Sequence, residues 1–316
     1  MAQEMRLPLD QAWKNWEACL NRNDPNSIFR QITTMIWDTG VYRIILAGRQ
    51  LKVEKNPQSP ELNDTLHFFI DRNYFHSQSL IIRRITDDRY PLTGKMGVFS
   101  LKALLKDIES YKKELTRETF LELRNMPYDY KEIQSRELKY ALSQPAGTAF
   151  FIPPELDWES IEDAHSVFDR LANLSANNRN PEDQIDSNVF RRLHERLTLC
   201  TEISLYADKF IAHSSTPESR VSQNYDETTI TVDKLWKAHR VIFNVALFLS
   251  ETIFGIDRMA LAIENPSLFM FWEKPLFENG EFDSIRDSFD KYRKETETWQ
   301  SDGVEDIWRA IEENRL

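Results

Sequence analysis

Between Phe190 and Ile211, seven residues (Phe190, Leu193, Leu197, Cys200, Ser204, Ala207 and Ile211) recur at alternating steps of three and four. That spacing lays a stripe along one side of an α-helix and does not suit a strand, whose faces alternate every second residue. The pattern recurs along the chain. Ile32, Met35, Ile36, Thr39, Tyr42 and Leu46 follow it after Asp24-Pro25, a polar cap with proline at the first helical position. Leu66, Phe69, Ile70, Tyr74, Ser77, Leu80, Ile81 and Ile85 give a second long stripe, and Trp13, Trp16 and Leu20 mark a shorter helix near the start. Eight glycines in 316 residues is about 2.5%, against roughly 7% in average proteins. Little material is left for the tight turns and phosphate loops of a nucleotide-binding α/β enzyme, and neither G-x-G-x-x-G nor G-x-x-x-x-G-K-[ST] occurs. The expected fold is mostly α-helical, a bundle of long amphipathic helices with additional peripheral helices.

The remaining segments fit that plan. NPQSPELN and YPLTGKMGVFS read as connectors, and Ser100 caps the helix that starts LKALLKDIES. From Asn125 to Trp158 irregular backbone is expected around one helical piece near Lys131 to Leu142. A helix from Ile161 to Leu174 precedes the loop NLSANNRNPED, and Thr231 and Gly255 bracket another long helix. Between Glu278 and Glu313 twelve acidic residues face five basic ones, so most of the net charge of −11 lies there. This division predicts a helical domain over 1–260 and an acidic helical extension, peripheral but packed on it, over 261–316.

Several function classes find no support. Cys19 and Cys200 form no C-x-x-C frame. His76, His165, His194 and His239 show no H-x-x-x-H pairing, so no metal or other cofactor is expected. There is no G-x-S-x-G elbow. The tryptophans, Trp13, Trp16, Trp37, Trp236 and Trp272 among them, read as core or interface anchors. The N-terminus lacks a signal-peptide pattern, and the most apolar run, Val241 to Leu249, contains Asn244 and falls short of the ~20 residues a span requires. No membrane association is expected, and a reducing cytoplasmic setting fits the cysteine usage.

One helix face carries chemistry. Glu195, Glu202, Tyr206, Lys209 and His213 lie at steps of seven, four, three and four, offset from the apolar seam. Histidine can move a proton near neutral pH, lysine can hold a phosphate or oxyanion, and tyrosine can donate a hydrogen bond. The same spacing also describes a solvated, salt-bridged face, with His213 favoured by the helix dipole.

DKFIAHSS resembles the helix-terminal D-K-x-x-A-H signature of HEPN-superfamily proteins, in particular the abortive-infection U-like branch. RRITDDRYPLTGKMGVFSLKALLKDI and TITVDKLWKAHRVIFNVALFLSETIFG resemble further parts of that branch, so that the likeness covers Leu66 to Gly255. The resemblance implies a dimerised helical bundle in prokaryotic defence or stress response. It also implies a metal-independent endoribonuclease site built from an arginine and a histidine four to six residues apart. The ribose 2′-hydroxyl would attack the adjacent phosphate while histidine transfers a proton and arginine supports the phosphate. His213 takes the histidine position, and Asp208 and Lys209 match the D-K.

The arginine position holds Ala207, a departure from the pattern. Three readings stay open: Lys209 takes the cationic role; an arginine from elsewhere, such as Arg83 or Arg84, or from a partner subunit completes the site; or the chain is a scaffold that binds a protein or RNA partner. Arg83 and Arg84 can equally form local ion pairs with Asp87 and Asp88. Arg191, Arg192 and Arg196 in FRRLHER, with His194, form the denser basic patch and the better candidate for RNA contact, or else a solvated face. The seam from Phe190 to Ile211 exceeds what one short helix covers, so a homodimer with long helices packed across a twofold axis is expected.

Overall fold

A computed structural model describes residues 7–20, 24–58, 64–145, 147, 157–212, 216, 218, 230–256 and 282–313. Among these the chain is helical with connecting turns, and the only extended pairing is an isolated antiparallel bridge between Thr116 and Gln184. The helices are α1 (Leu9–Leu20), α2 (Ile28–Lys55), α3 (Asp64–Ile85), α4 (Leu101–Ser110), α5 (Arg117–Leu123), α6 (Lys131–Ser143) and α7 (Trp158–Ala172). They continue with α8 (Ser187–Leu197), α9 (Thr201–Tyr206), α10 (Val232–Phe248) and α11 (Phe282–Glu312). The mostly α-helical bundle expected from the stripes is the observed fold.

The bundle is arranged around α10. Thr231 caps its start, accepting from the backbone N–H of Lys234 at 3.2 Å. Every residue from Ile242 to Ser250 is buried, so this stretch has no solvent face, and all of it but Asn244 and Ser250 is apolar. α2, α3, α8 and α11 surround it. Among its polar residues, His239 is wholly buried with Nδ1 3.4 Å from the Thr39 hydroxyl. That hydroxyl in turn meets the Tyr74 hydroxyl at 3.0 Å, which accepts from Trp236 Nε1 at 3.0 Å.

The last helix is not peripheral. Phe289, Tyr292, Trp299, Ile307, Trp308 and Ile311 of α11 belong to the same buried cluster as α2 and α10. Two glycines let it approach. A Cβ at Gly40 of α2 would stand 2.8 Å from the Phe289 ring, and one at Gly303 of α11 would collide with the Asn244 carboxamide of α10. The acidic residues that suggested a peripheral segment occupy the outer side of this helix, while its aromatic residues, spaced for one face, fill the core.

Three local expectations are also corrected. Asp24 and Pro25 lie in a turn rather than in the first helical turn of α2: Asp24 Oδ1 accepts from the Asn26 N–H at 2.7 Å, which spends the side chain locally, and the helix starts at Ile28 behind Ser27. On α3 the buried face passes through Tyr74, Gln78, Ser79, Ile82 and Ile85, whereas Leu66 and Phe69 remain exposed because no described element lies over them. The helix expected to run through to His213 changes pitch twice, through a 3₁₀ turn at Thr198–Cys200 and a π turn at Ala207–Ala212. The tighter turn shifts register so that Ile203, not Ser204, is buried, and the Ser204 hydroxyl meets that of Thr86 on α3 at 2.9 Å. Phe190, Leu193, Leu197, Cys200 and Ala207 are covered within one chain by α3, α4, α10 and α11, so the seam itself gives no reason for a twofold partner.

Phe289→Ala should cost about 3–5 kcal/mol. Because its ring is core to the whole bundle, denaturant unfolding followed by helical signal should move as one transition, whereas a separate early transition would mark 261–316 as an independent unit. A second expectation concerns acid. Burial, aided by the charge of Arg43, pushes the His239 imidazole down to about 3. Unfolded histidine titrates near 6.5, so between those values the unfolded chain takes a proton that the folded one refuses. Stability should therefore be complete above about pH 6.5 and fall towards pH 3, with a contribution of up to about 1.4 kcal/mol per pH unit. His239→Gln should remove that share of the slope in melts recorded from pH 7 to 4.

Candidate functional site

The end of α3 meets the π turn through charged contacts. Arg83 and Arg84 sit in the last turn of α3, where cations face the negative end of the helix dipole. Arg83 Nε donates to Asp208 Oδ1, and Arg89 Nη1 lies 3.5 Å from the other Asp208 oxygen. Arg89 also grips Asp87 through Nε at 3.1 Å and Nη2 at 2.7 Å. Burial works to raise the Asp87 carboxyl, but these hydrogen bonds and the charges of Arg89 and Arg83 outweigh it and hold it below the usual carboxylate range. Arg84 is exposed and shares with Arg83 and Asp87 a cleft of about 500 Å³ that reaches Asp24, Gln31 and Phe99.

On the other side of the contact, Tyr206 stacks on Phe210 with ring centroids 5.1 Å apart, and Lys209 follows Asp208 on the partly buried side of the π turn. Glu202 is engaged by Lys234 Nζ at 2.6 Å. Ala207 is wholly buried. The π turn makes i→i+5 hydrogen bonds, a wider winding that recurs at functional sites. His213 lies outside the described residues, as does Trp272. The structure thus brings Arg83 onto Asp208, 125 positions away in the chain, in the turn that also holds Lys209 and follows Tyr206.

The FRRLHER patch is largely engaged by its own surroundings. Arg191 donates to Glu195 Oε1 at 2.7 Å and to Asn188 at 2.9 Å, while Arg192 holds Glu195 Oε2 at 2.8 Å. These hydrogen bonds keep the Glu195 carboxyl below its ordinary range. Arg196 reaches the Asp306 carbonyl of α11 at 2.8 Å, and burial lowers its guanidinium. His194 Nε2 stands 3.6 Å from Glu109.

Sequence reasoning passed over a second charged group. Arg117 has no exposed surface and lies 2.7 Å from Asp169 and 2.9 Å from Asp183, with its Nη1 donating to the His165 carbonyl at 3.1 Å. Arg179 ties Glu162 at 2.7 Å and Asp169 at 2.9 Å into the same group. Every charge in this set has an opposite neighbour, and its effect is to fasten the 173–186 loop to α5 and α7. Among the described residues no group of histidine, cysteine and carboxylate side chains could hold a metal ion. Comparison with family models, curated proteins and solved structures gives no match.

Ala207→Arg places a long cation where no surface is exposed. The variant should lose several kcal/mol of stability, or fail to fold, rather than gain a phosphate-binding arginine. A thermal melt and a size-exclusion profile indistinguishable from the parent would contradict the buried position.

Proposed function

We propose that this chain is a HEPN-like protein of prokaryotic defence or stress response, acting as a metal-independent endoribonuclease at the junction of α3 with the π turn. The observation that carries this reading is the Arg83–Asp208 contact, which brings an arginine of α3 to the turn that holds Lys209 although the family's own arginine position is the buried Ala207. In this reading Arg83 and Lys209 stabilise the phosphate, Tyr206 borders the substrate, and His213 moves the proton as the 2′-hydroxyl attacks. Arg83 can offer its terminal nitrogens to a phosphate while Nε stays on Asp208, a division of donors that a lysine cannot reproduce. Arg84 would follow the backbone of a longer RNA. A second subunit, forming a homodimer, or a regulatory protein would cover the site and control access to it. No helix among the described residues is long and apolar enough to cross a membrane.

A second reading has its own support. Arg83 is answered by Asp208, Arg89 by Asp87, and Arg191 and Arg192 by Glu195, so little unbalanced positive charge faces a polyanion. Meanwhile Phe68 is 67% exposed and Phe69 53%. These features suit an inactive helical scaffold that binds a protein partner.

Incubation of the protein with mixed RNA in chelator separates the two. The nuclease reading expects fragments ending in 2′,3′-cyclic phosphate, a loss of about 10²-fold or more for Arg83→Lys with the fold intact, and no cleavage by His213→Ala. Intact RNA under all conditions would leave the scaffold reading.

A further inference from the structure

A groove remains between α2 and α3 that this reading does not use. Asp38, Val41, Tyr42 and Ile45 lie on one face of α2, and Ile70, Asn73, Tyr74 and Ser77 repeat the same spacing on α3. Gln78 of α3 meets Asp38 of α2, and Tyr42 stacks on Tyr74 with centroids 3.8 Å apart, so the helices run in opposite senses and Ile45 faces Ile70 at the far end. The groove is open to solvent, with a volume of about 270 Å³. Seven residues of helix give it a length of about 10 Å.

Its two ends differ in chemistry. At one end Asp38 makes no ion pair among the described residues, and the hydrogen bond it accepts from Gln78 Nε2 is a long one, 3.4 Å. Gln78 is wholly buried, and the oxygen of the same carboxamide has no hydrogen-bond partner. Burial raises the Asp38 carboxyl, as expected for a carboxylate withdrawn from water without a cation. At the other end are Val41, Ile45 and Ile70. Two arginines of α2 are already committed: Arg43 pairs with Glu295 at 2.8 Å and lies over the Trp236 ring, and Arg49 pairs with Asp71 at 2.7 Å.

We propose that this groove binds a small aliphatic amine, with its ammonium group on Asp38 and its carbon chain along Val41, Ile45 and Ile70. An ammonium supplies donors and the missing positive charge to the Asp38 carboxylate. A chain of about six carbons fills the remaining length and buries apolar surface against the three aliphatic side chains. A carboxylate ligand would be repelled by Asp38, and a neutral alcohol would leave its charge unanswered. The volume suits a small molecule rather than a folded partner.

Titration calorimetry with n-hexylamine, on the full chain, tests the assignment. One equivalent should bind, and 1-hexanol and hexanoate should not. Asp38→Asn should weaken hexylamine at least about tenfold. Ser77→Lys alters an exposed position and tethers an ammonium in the groove; it should abolish binding with an unchanged melting temperature. Equal binding of hexanol, an undiminished Asp38→Asn, or absence of hexylamine binding would overturn the proposal. Tighter binding of Nα-acetyl-lysine methylamide than of hexylamine would overturn it too, by making a protein lysine the occupant. None of these outcomes depends on RNA cleavage, so they stand apart from the nuclease reading.

Discussion

A helix with no solvent face must be enclosed, and α10 imposes that condition on the rest of the chain. Residues Ile242 to Ser250 have no exposed side, so α2, α3, α8 and α11 must all reach them. The last of these comes from the far end of the sequence and lies within its most acidic segment. Its approach rests on two positions without a Cβ, Gly40 and Gly303, one facing Phe289 and one facing Asn244. In a chain so poor in glycine, these two are placed where helices touch rather than where the backbone turns. The core is therefore a single unit spanning both ends of the sequence, and α1 joins it through the hydrogen bond from Trp16 to Asp107 of α4 at 2.6 Å.

Much of this was legible because apolar spacing reports a local property. The helical class, the Ser100 and Thr231 caps and the Gly255 stop follow from short-range chemistry, and each is observed. The start of α2 was misplaced because Asp24 satisfies a nearby backbone N–H before the helix begins. The two pitch changes after Leu197 left no trace, since a 3₁₀ turn and a π turn alter register by single residues while the spacing of apolar side chains stays nearly helical. The position of α11 was hidden for another reason: composition averages over both faces of a helix, and the charged outer face outweighed the aromatic inner one.

The candidate site was half legible. Tyr206, Lys209 and Glu202 could be placed on one helix from spacing, but nothing local connects Asp208 with Arg83, 125 positions away. Arg117 was hidden in the same way, with partners 52 and 66 positions downstream. Ion pairs that bridge elements have no periodic signature. Their geometry depends on which helices become neighbours, and here the Thr86–Ser204 hydroxyl contact and the packing of α3 on α9 decide that Arg83 arrives at Asp208.

The far end of α10 has a consequence of its own. After Phe248 the helix widens into a π turn at Leu249–Ile253 and ends at Gly255, whose φ of 65° is left-handed. Arg124, at the end of α5, donates to the carbonyls of Ile253 at 3.2 Å and Thr252 at 2.8 Å, and burial pushes its guanidinium down to about 10. A side chain at Gly255 would press on that guanidinium. The negative pole of this helix is thus closed by a cation borrowed from another part of the chain. Any fluctuation that lifts the α5 end away must also strand those carbonyls, so slow amide exchange should extend from the core of α10 out to its terminus, where helices ordinarily fray.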